Sequence, residues 1–387
     1  MEVSVLRGEL WTGIEAVLDA VPTRPAMPIL ANMVLSATED GLQLAASDLD
    51  LSLRTIVPAQ VHEFGSVAVP ARTLAEIARE WPEAELTIAY SDDTVRLEGS
   101  LGAQGTGRAT YTLAGVSADE FPPFPEGLSG TALKLNSIEG LSAATVGDMI
   151  QRVSFAVSRE ETRPVLGGAL WRIDTSGVLL VATDAHRFAH YRHRADLTAQ
   201  IGTSTREAIV PAPALARMAR LLSNAPEETT LEFADTHLSV QAGPTELVTR
   251  LIEGPYVDYD QVIPRNNRRR LEVALDDLLP AVRRVSVLAS SYTHQIRLAL
   301  TPGTVELSAN SPELGGEARE VISAAYDGEP MQTGYNAQYL IEILRRIGSK
   351  SVVFELGGEL TAALLRPADQ QESQDYFCLL MPLRVAG

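Results

Sequence analysis

Apolar and polar positions alternate along much of the chain, and the alternation turns back on itself at three matching places. N-M-V-L-S-A-T leads to Gly41, A-L-W-R-I-D to Gly177 and Q-I-R-L-A-L to Gly303, and each Gly opens a second alternating run. Strand side chains switch faces with period two, so alternation on both sides of a turn Gly predicts a β-hairpin. Asp48, Asp184 and Asn310 each follow their Gly by seven places. A second pattern recurs in step: V-P-A-R-T-L-A-E-I-A-R from Val69, V-P-A-P-A-L-A-R-M-A-R from Val210 and Y-N-A-Q-Y-L-I-E-I-L-R from Tyr335. Each begins with a helix-opening Pro or Asn, spaces its apolar residues helically and carries an Arg at the eleventh position: Arg79, Arg220 and Arg345. Two linked patterns in the same order three times predict a triplicated domain, helices mixed with antiparallel hairpins, of the α+β class.

The first repeat covers residues 1–128. An opening strand leads into a helix with Leu10, Ile14, Val17 and Leu18 on one face, expected to stop at Pro22. Thr23-Arg24-Pro25 precedes the hairpin around Gly41, and L-T-I-A-Y and A-T-Y-T-L follow as strands before the Pro-rich junction E-F-P-P-F-P-E-G. The second repeat, 129–264, places a helix within Ser137 to Val157, repeats the tripeptide as Thr162-Arg163-Pro164 and closes on G-P-Y-V-D-Y-D-Q-V-I-P. The third, 265–387, opens on the basic R-N-N-R-R-R, places a helix from about Leu275 to Ala289 and finishes with D-Y-F-C-L-L-M-P-L-R.

Composition narrows the chemistry. With 387 residues, 45% hydrophobic and 21% charged, this is an ordinary globular chain. It holds no apolar run of about 18 residues, and its first residues read as a strand rather than a secretory signal. The single cysteine, Cys378, sits in an apolar run and excludes an internal disulfide. A cytoplasmic location is the expectation. His186, His190 and His193 cluster, but the stretch follows a strand, lacks the Glu of H-E-x-x-H and has no histidines at the equivalent places in the other repeats, so no metal site is expected. Asp48 and Asp50 read as a solvated loop, and G-S-K-S at Gly348 has the wrong order for a phosphate loop. Neither G-x-S-x-G nor G-x-G-x-x-G occurs, so neither a catalytic set nor a cofactor is expected.

Arginine placement says more. The net charge of -18 opposes a nucleic-acid partner overall. Yet the equivalent helices share Arg79, Arg220 and Arg345, with Arg72, Arg217 and Arg346 beside them, and the third-repeat helix adds Arg283 and Arg284. A surface made basic three times over in an acidic chain predicts a polyanion partner. A domain of about 130 residues has an equivalent sphere radius of roughly 18 Å, and six in a ring leave a hole roughly 35 Å across, enough for duplex DNA. Two three-domain chains related by a two-fold axis would supply six.

On these features the chain resembles the bacterial DNA polymerase III β subunit family, the replicative sliding clamps. The resemblance spans essentially the whole length. It is carried by T-R-P-A-M-P-I-L (Thr23 to Leu30), V-P-A-R (Val69 to Arg72), T-R-P-V-L (Thr162 to Leu166), V-A-T-D-A-H-R-F, D-Y-D-Q-V-I-P from Asp258, Y-N-A-Q-Y-L (Tyr335 to Leu340) and L-M-P-L-R. It implies a head-to-tail homodimeric ring of three DNA-clamp domains per chain, sheets outside and two helices per domain inside, without enzymatic activity. Duplex DNA is then held at its phosphates, independent of sequence, by Arg24, Arg72, Arg79, Arg163, Arg217, Arg220, Arg283 and Arg345. It also implies a pocket for short peptides of the replicative polymerase, an ATP-driven clamp loader and repair proteins. The matching positions are Leu166, Thr183, His186, Arg187, Phe188, Val262, Tyr339, Met381, Pro382, Leu383 and Arg384. Tyr111 and Leu113 of one chain are expected to meet Val287 and Leu288 of the other. The chain departs from the family at Val257 and Gln261 on the rim, and at Pro164 and Val165, where some members carry aromatics. Two other readings stay open: a specialised, inhibitor-tolerant clamp paralogue, and a metal-dependent hydrolase using the histidine cluster.

Overall fold

A computed structural model describes residues 1–101, 107–226, 228–311 and 315–384. Among them seven α-helices alternate with antiparallel strands: α1 Arg7–Leu18, α2 Ala71–Glu80, α3 Ala143–Val153, α4 Thr198–Ile201, α5 Ala212–Ser223, α6 Leu275–Val285 and α7 Ala337–Leu344. No described helix is long and apolar enough to cross a membrane.

The three hairpins form where the alternation predicts them. Asn32–Thr38 pairs with Gly41–Ser47, Gly168–Asp174 with Gly177–Thr183, and Gln295–Thr301 with Thr304–Ser311. Gly41 and Gly177 hold φ of 128° and 137°, where an L-residue is strained. A Cβ at Gly177 would stand 2.0 Å from the His193 carbonyl oxygen, so the glycine is needed for closeness as well as for φ. In the third hairpin Gly303 sits inside the two-residue turn, at φ 83° with open space around it.

The described chain packs into two compact units, each of which includes part of the middle repeat. The first comprises Met1–Ser137 and Arg220–Leu251. It contains a five-stranded sheet in the order Gln60–Glu63, Glu2–Leu6, Glu85–Ser91, Thr94–Leu101, Gly107–Ala114. Its nine-stranded sheet joins two repeats edge to edge: first-repeat strand Leu51–Val57 pairs antiparallel with second-repeat strand Thr245–Arg250. The second unit, Ile138–Ala219 and Ile252 onward, repeats the device. Arg187–Arg194 pairs with third-repeat strand Gln374–Leu380 inside another nine-stranded sheet, and a four-stranded sheet runs Gly316–Ser323, Thr304–Ser311, Gln295–Thr301, Met331–Asn336.

Helices α1, α2, α3, α6 and α7 bury apolar residues against strands of the sheets. Leu10, Ile14 and Val17 of α1 are fully buried, and Gly13 lets the helix approach so closely that a Cβ there would meet Leu44 Cδ1 at 2.6 Å. Each such buried Leu or Ile contributes about 2 kcal/mol of transfer free energy. Helix α1 starts at Arg7, directly from the opening strand, and ends at Leu18, four residues short of Pro22. Proline therefore does not terminate it; Ala20 and Val21 close the end with turn hydrogen bonds to Val17 and Leu18. Asn336 caps α7 as its sequence position predicts, its side chain accepting from the N–H groups of Gln338 and Tyr339.

Candidate DNA-facing arginines and docking cavity

The arginines singled out by the repeat divide between the two units. In the first unit Arg24 is exposed in the loop before Pro28–Ala31, and Arg72 and Arg79 are exposed on α2, whose Leu74, Ala75 and Ala78 are buried. Arg79 lies 3.2 Å from Glu80, and Arg220 at the end of α5 lies 2.6 Å from Asp19. In the second unit Arg217 is half-buried and Arg163, Arg283 and Arg345 are exposed, Arg345 as the cap residue of α7. The neighbouring Arg284 is held by Glu320 at 2.7 Å. Arg24, Arg163, Arg283 and Arg345 make no ion pair among the described residues, so their guanidinium groups are available to an outside anion.

The cavity grows from one turn. Between strands Gly177–Thr183 and Arg187–Arg194, Asp184 Oδ1 accepts from the N–H groups of His186 and Arg187, both at 2.9 Å, and Thr183 Oγ1 accepts from Ala185 at 3.1 Å. These bonds hold Ala185 at φ 72°, a left-handed conformation that costs an L-residue about 1 kcal/mol. The turn aims Arg187 inward. Its Nε lies 3.0 Å from Asp184 Oδ2, Nη1 is bonded to Glu342 on α7, and the guanidinium sits 4.5 Å above the Tyr339 ring. At 9% exposure, Arg187 is a buried cation held by two carboxylates and a ring face.

On one side of Arg187 opens a cavity of about 270 Å³ walled by Leu166, Thr183, Phe188, Val262, Leu379 and Met381, with His186 and Arg163 also lining it. Its floor is the outer surface of a packed cluster, in which the Phe188 ring lies 6.0 Å from both Tyr259 and Phe377. The cavity is concave and mostly apolar, with a few polar groups among its lining, the general build of a ligand cleft. On the other side lies a more polar cleft of about 290 Å³, lined by Arg159, Asp184, Gln338, Tyr339 and Glu342 among others. His186 and Arg187 belong to both, and His186 stacks on Tyr339 with ring centroids 6.2 Å apart.

Seven positions expected at a pocket from sequence thus line the apolar cavity: Leu166, Thr183, His186, Arg187, Phe188, Val262 and Met381. Tyr339 lines the adjoining cleft. Pro382, Leu383 and Arg384 line neither of these two; Leu383 N–H donates to Gly334 at 2.8 Å and the Arg384 carbonyl accepts from Gln295 at 3.0 Å. Arg163, assigned to DNA from sequence, lines the cavity, as do Tyr259 and Leu379, which sequence reasoning missed. The signal for Leu379 lay in the alternation Phe377, Leu379, Met381 along the last strand.

The histidines do not converge on a common point. His190 is buried between Phe188 and Phe377 with Nδ1 3.3 Å from the Asp375 carbonyl, and His193 Nε2 lies 2.8 Å from the Gly140 carbonyl. Burial holds both below the usual imidazole range. Among the described residues no group of three His, Cys, Asp or Glu side chains could hold a metal ion. Cys378 is buried, which pushes its thiol up to about 12 and keeps it unreactive. Tyr111 and Leu113 lie on the outermost strand of the five-stranded sheet, Tyr111 being 46% exposed against Trp81. Val287, 73% exposed, and Leu288 form the turn after α6 beside Gly316, which begins the outermost strand of the four-stranded sheet.

A triplicated antiparallel fold with arginine-bearing helices and an apolar cavity is the build of a DNA clamp. Family profiles for the DNA polymerase III beta subunit match nearly the whole length: the N-terminal domain over residues 1–125, the central domain over 140–258 and the C-terminal domain over 260–384. The chain belongs to the DNA polymerase III beta subunit family. It is 31% identical over 398 residues to the beta sliding clamp of Caulobacter vibrioides, covering 100% of both chains. Among solved structures, the DNA polymerase sliding clamp of Pseudomonas aeruginosa matches with 27% identity and a TM-score of 0.88, and that of Bacillus subtilis with 25% and 0.89, each covering 100% of both chains. The function is that of a DNA sliding clamp, a non-catalytic processivity factor of DNA polymerase III.

Proposed function

We propose that two copies of this chain, each of three domains bounded near residues 128 and 264, close head to tail around duplex DNA. The observation that carries this reading is strand number. Among the described residues, both sheets that join neighbouring repeats have nine strands, whereas the remaining two have five and four and end in the edge strands Gly107–Ala114 and Gly316–Ser323. An open antiparallel edge invites pairing. Joining the five-stranded sheet of one copy to the four-stranded sheet of another makes a third kind of nine-stranded sheet, with Tyr111 and Leu113 meeting Val287 and Leu288 across it. The same contact made twice closes a two-fold ring.

Arg24, Arg72, Arg79, Arg163, Arg217, Arg220, Arg283 and Arg345 then hold phosphates, which carry no sequence information and so permit sliding. The apolar cavity takes a short peptide of the replicative polymerase, of an ATP-driven loader or of repair proteins, with Phe188 and Leu379 as floor and His186 as rim. Tethering raises the polymerase's effective concentration at the primer end. Retention on circular DNA tests the reading. Protein loaded onto a nicked circle is gel-filtered, the DNA is linearised and the filtration repeated. Retention on the circle with loss from the linear form is expected, and equal loss or equal retention would overturn the ring.

A further inference from the structure

Four of the chain's 32 lysines and arginines fall within residues 265–270, the segment R-N-N-R-R-R, and neither DNA holding nor peptide docking uses them. The segment follows Tyr259–Val262, which lines the apolar cavity, and enters the nine-stranded sheet as strand Arg269–Ala274. Two of its side chains fix it. Asn267 Nδ2 donates to the Glu355 and Ala362 carbonyls, both at 2.9 Å, and Arg269 Nη1 donates to the Gly357 carbonyl. Arg270 is taken up by Glu272 at 2.8 Å. Arg265 and Arg268 remain, exposed and without an ion-pair partner among the described residues.

Their place relative to the cavity follows from register. Leu380 pairs with Ala363, and Arg269 pairs with Leu356, so the basic segment enters at the same end of the sheet as Met381. Three strand spacings separate the two strands, about 14 Å. Arg265 is three residues from Val262, hence within about 11 Å along the backbone. A peptide seated in the cavity reaches that distance with three or four extended residues.

We propose that Arg265 and Arg268 form a basic ledge that binds acidic side chains flanking the apolar anchor of a docked peptide; this rests on the cavity being the peptide site. The chain's net charge of -18 repels acidic segments elsewhere, so two free guanidinium groups beside the cavity select partners by charge as well as by anchor. A nucleic-acid strand fits less well. Two arginines neighboured by Asp258, Asp260 and Glu272 neutralise too few phosphates to hold a strand, whereas a tethered carboxylate needs one contact each.

Fluorescence anisotropy at low salt tests the ledge, using labelled peptides with a Leu-Phe anchor, a Gly-Ser-Gly spacer and either three Glu or three Gln residues, in both sequence orders. The Glu peptide is expected to bind about threefold to tenfold more tightly than the Gln peptide in at least one order. That advantage is expected to vanish in R265Q/R268Q and to pass to a Lys-tailed peptide in R265E/R268E, while Gln-peptide affinity stays unchanged in R265Q/R268Q. Equal binding of Glu and Gln peptides sinks the ledge and leaves the cavity reading standing. If neither peptide binds, or replacing Leu-Phe by Ala-Ala changes nothing, the cavity reading itself falls. Should R265Q/R268Q instead shorten retention on circular DNA with peptide preference intact, the segment is a DNA contact and the proposal is wrong.

Discussion

The turn Ser47 to Leu51 and the turn Thr183 to Arg187 are one structure built twice. In each, a hydroxyl accepts from the residue two places on (Ser47 from Leu49, Thr183 from Ala185, both 3.1 Å), and an Asp carboxylate accepts from the next two N–H groups. In each, a non-glycine residue is held left-handed, Leu49 at φ 83° and Ala185 at φ 72°. The residues that leave the turn differ. The first repeat places buried Leu51 and then Ser52, whose hydroxyl lies 2.8 Å from Ser47. The second places Arg187 and Phe188, a buried cation and a ring, and there the apolar cavity opens. The backbone turn is common property of the repeat; the apolar cavity comes from two side chains after it.

Substitutions at those two positions separate scaffold from site, and the largest effect belongs to the floor. Phe188→Ala is expected to cost about 3–5 kcal/mol in urea unfolding and to abolish anisotropy-detected binding of a Leu-Phe peptide. Ser52→Ala, its counterpart, should cost about 1 kcal/mol and leave peptide binding intact. Next comes Arg187→Met, which strands Asp184 and Glu342 without their cation. A loss of about 2–3 kcal/mol is expected, less than for a fully enclosed pair because Glu342 is half in solvent. A loss under about 0.5 kcal/mol would mean the ion pair is spare.

The pH dependence should be smaller and has a definite sign. His190 is kept neutral by burial, with Arg366 and Arg192 adding to the effect and Asp375 opposing it. Its folded value lies below the ordinary imidazole value of 6.5, so the unfolded chain takes up the proton first. Stability is therefore complete above that value and lost as pH falls through it. His190→Leu should flatten the fall in Tm between about pH 7 and pH 5, and an unchanged slope would assign the acid sensitivity to His193 and His237, which burial also lowers. The smallest effect tests the turn itself. Leu49→Gly and Ala185→Gly should each raise stability by about 0.5 kcal/mol, relief of the left-handed strain offset by glycine's entropy. Opposite signs would show that the two turns are not equivalent.

Much of the fold is legible from spacing alone. The hairpin glycines, the capping Asn336 and the amphipathic faces of α1 and α2 are local features, so periodicity and turn chemistry reach them. The end of α1 is not: Pro22 reads as the stop, whereas turn bonds to Val17 and Leu18 close the helix earlier. The pairing of Leu51–Val57 with Thr245–Arg250 has no local signal, since an edge strand and an interior strand alternate alike. For the same reason Leu379 and Tyr259 escape notice as cavity walls: their place depends on which strands become neighbours. His190 and His193 look like ligands in the linear sequence, but facing opposite sides of one strand they satisfy separate carbonyls.

The edge-to-edge joining of repeats also sets a clock. Thr55 and Thr245, hydrogen-bonded across the first such seam at 2.9 Å, are 190 residues apart. At about 5–20 residues per second, a ribosome needs roughly 10–40 s to supply the partner of a strand already made. For that interval the growing chain carries a raw sheet edge in Leu51–Val57, and before it closes the edge Arg187–Arg194 begins an equally long wait for Gln374–Leu380. Synthesis of this protein thus passes through two overlapping windows of aggregation risk, each closed by residues at the far end of the next repeat.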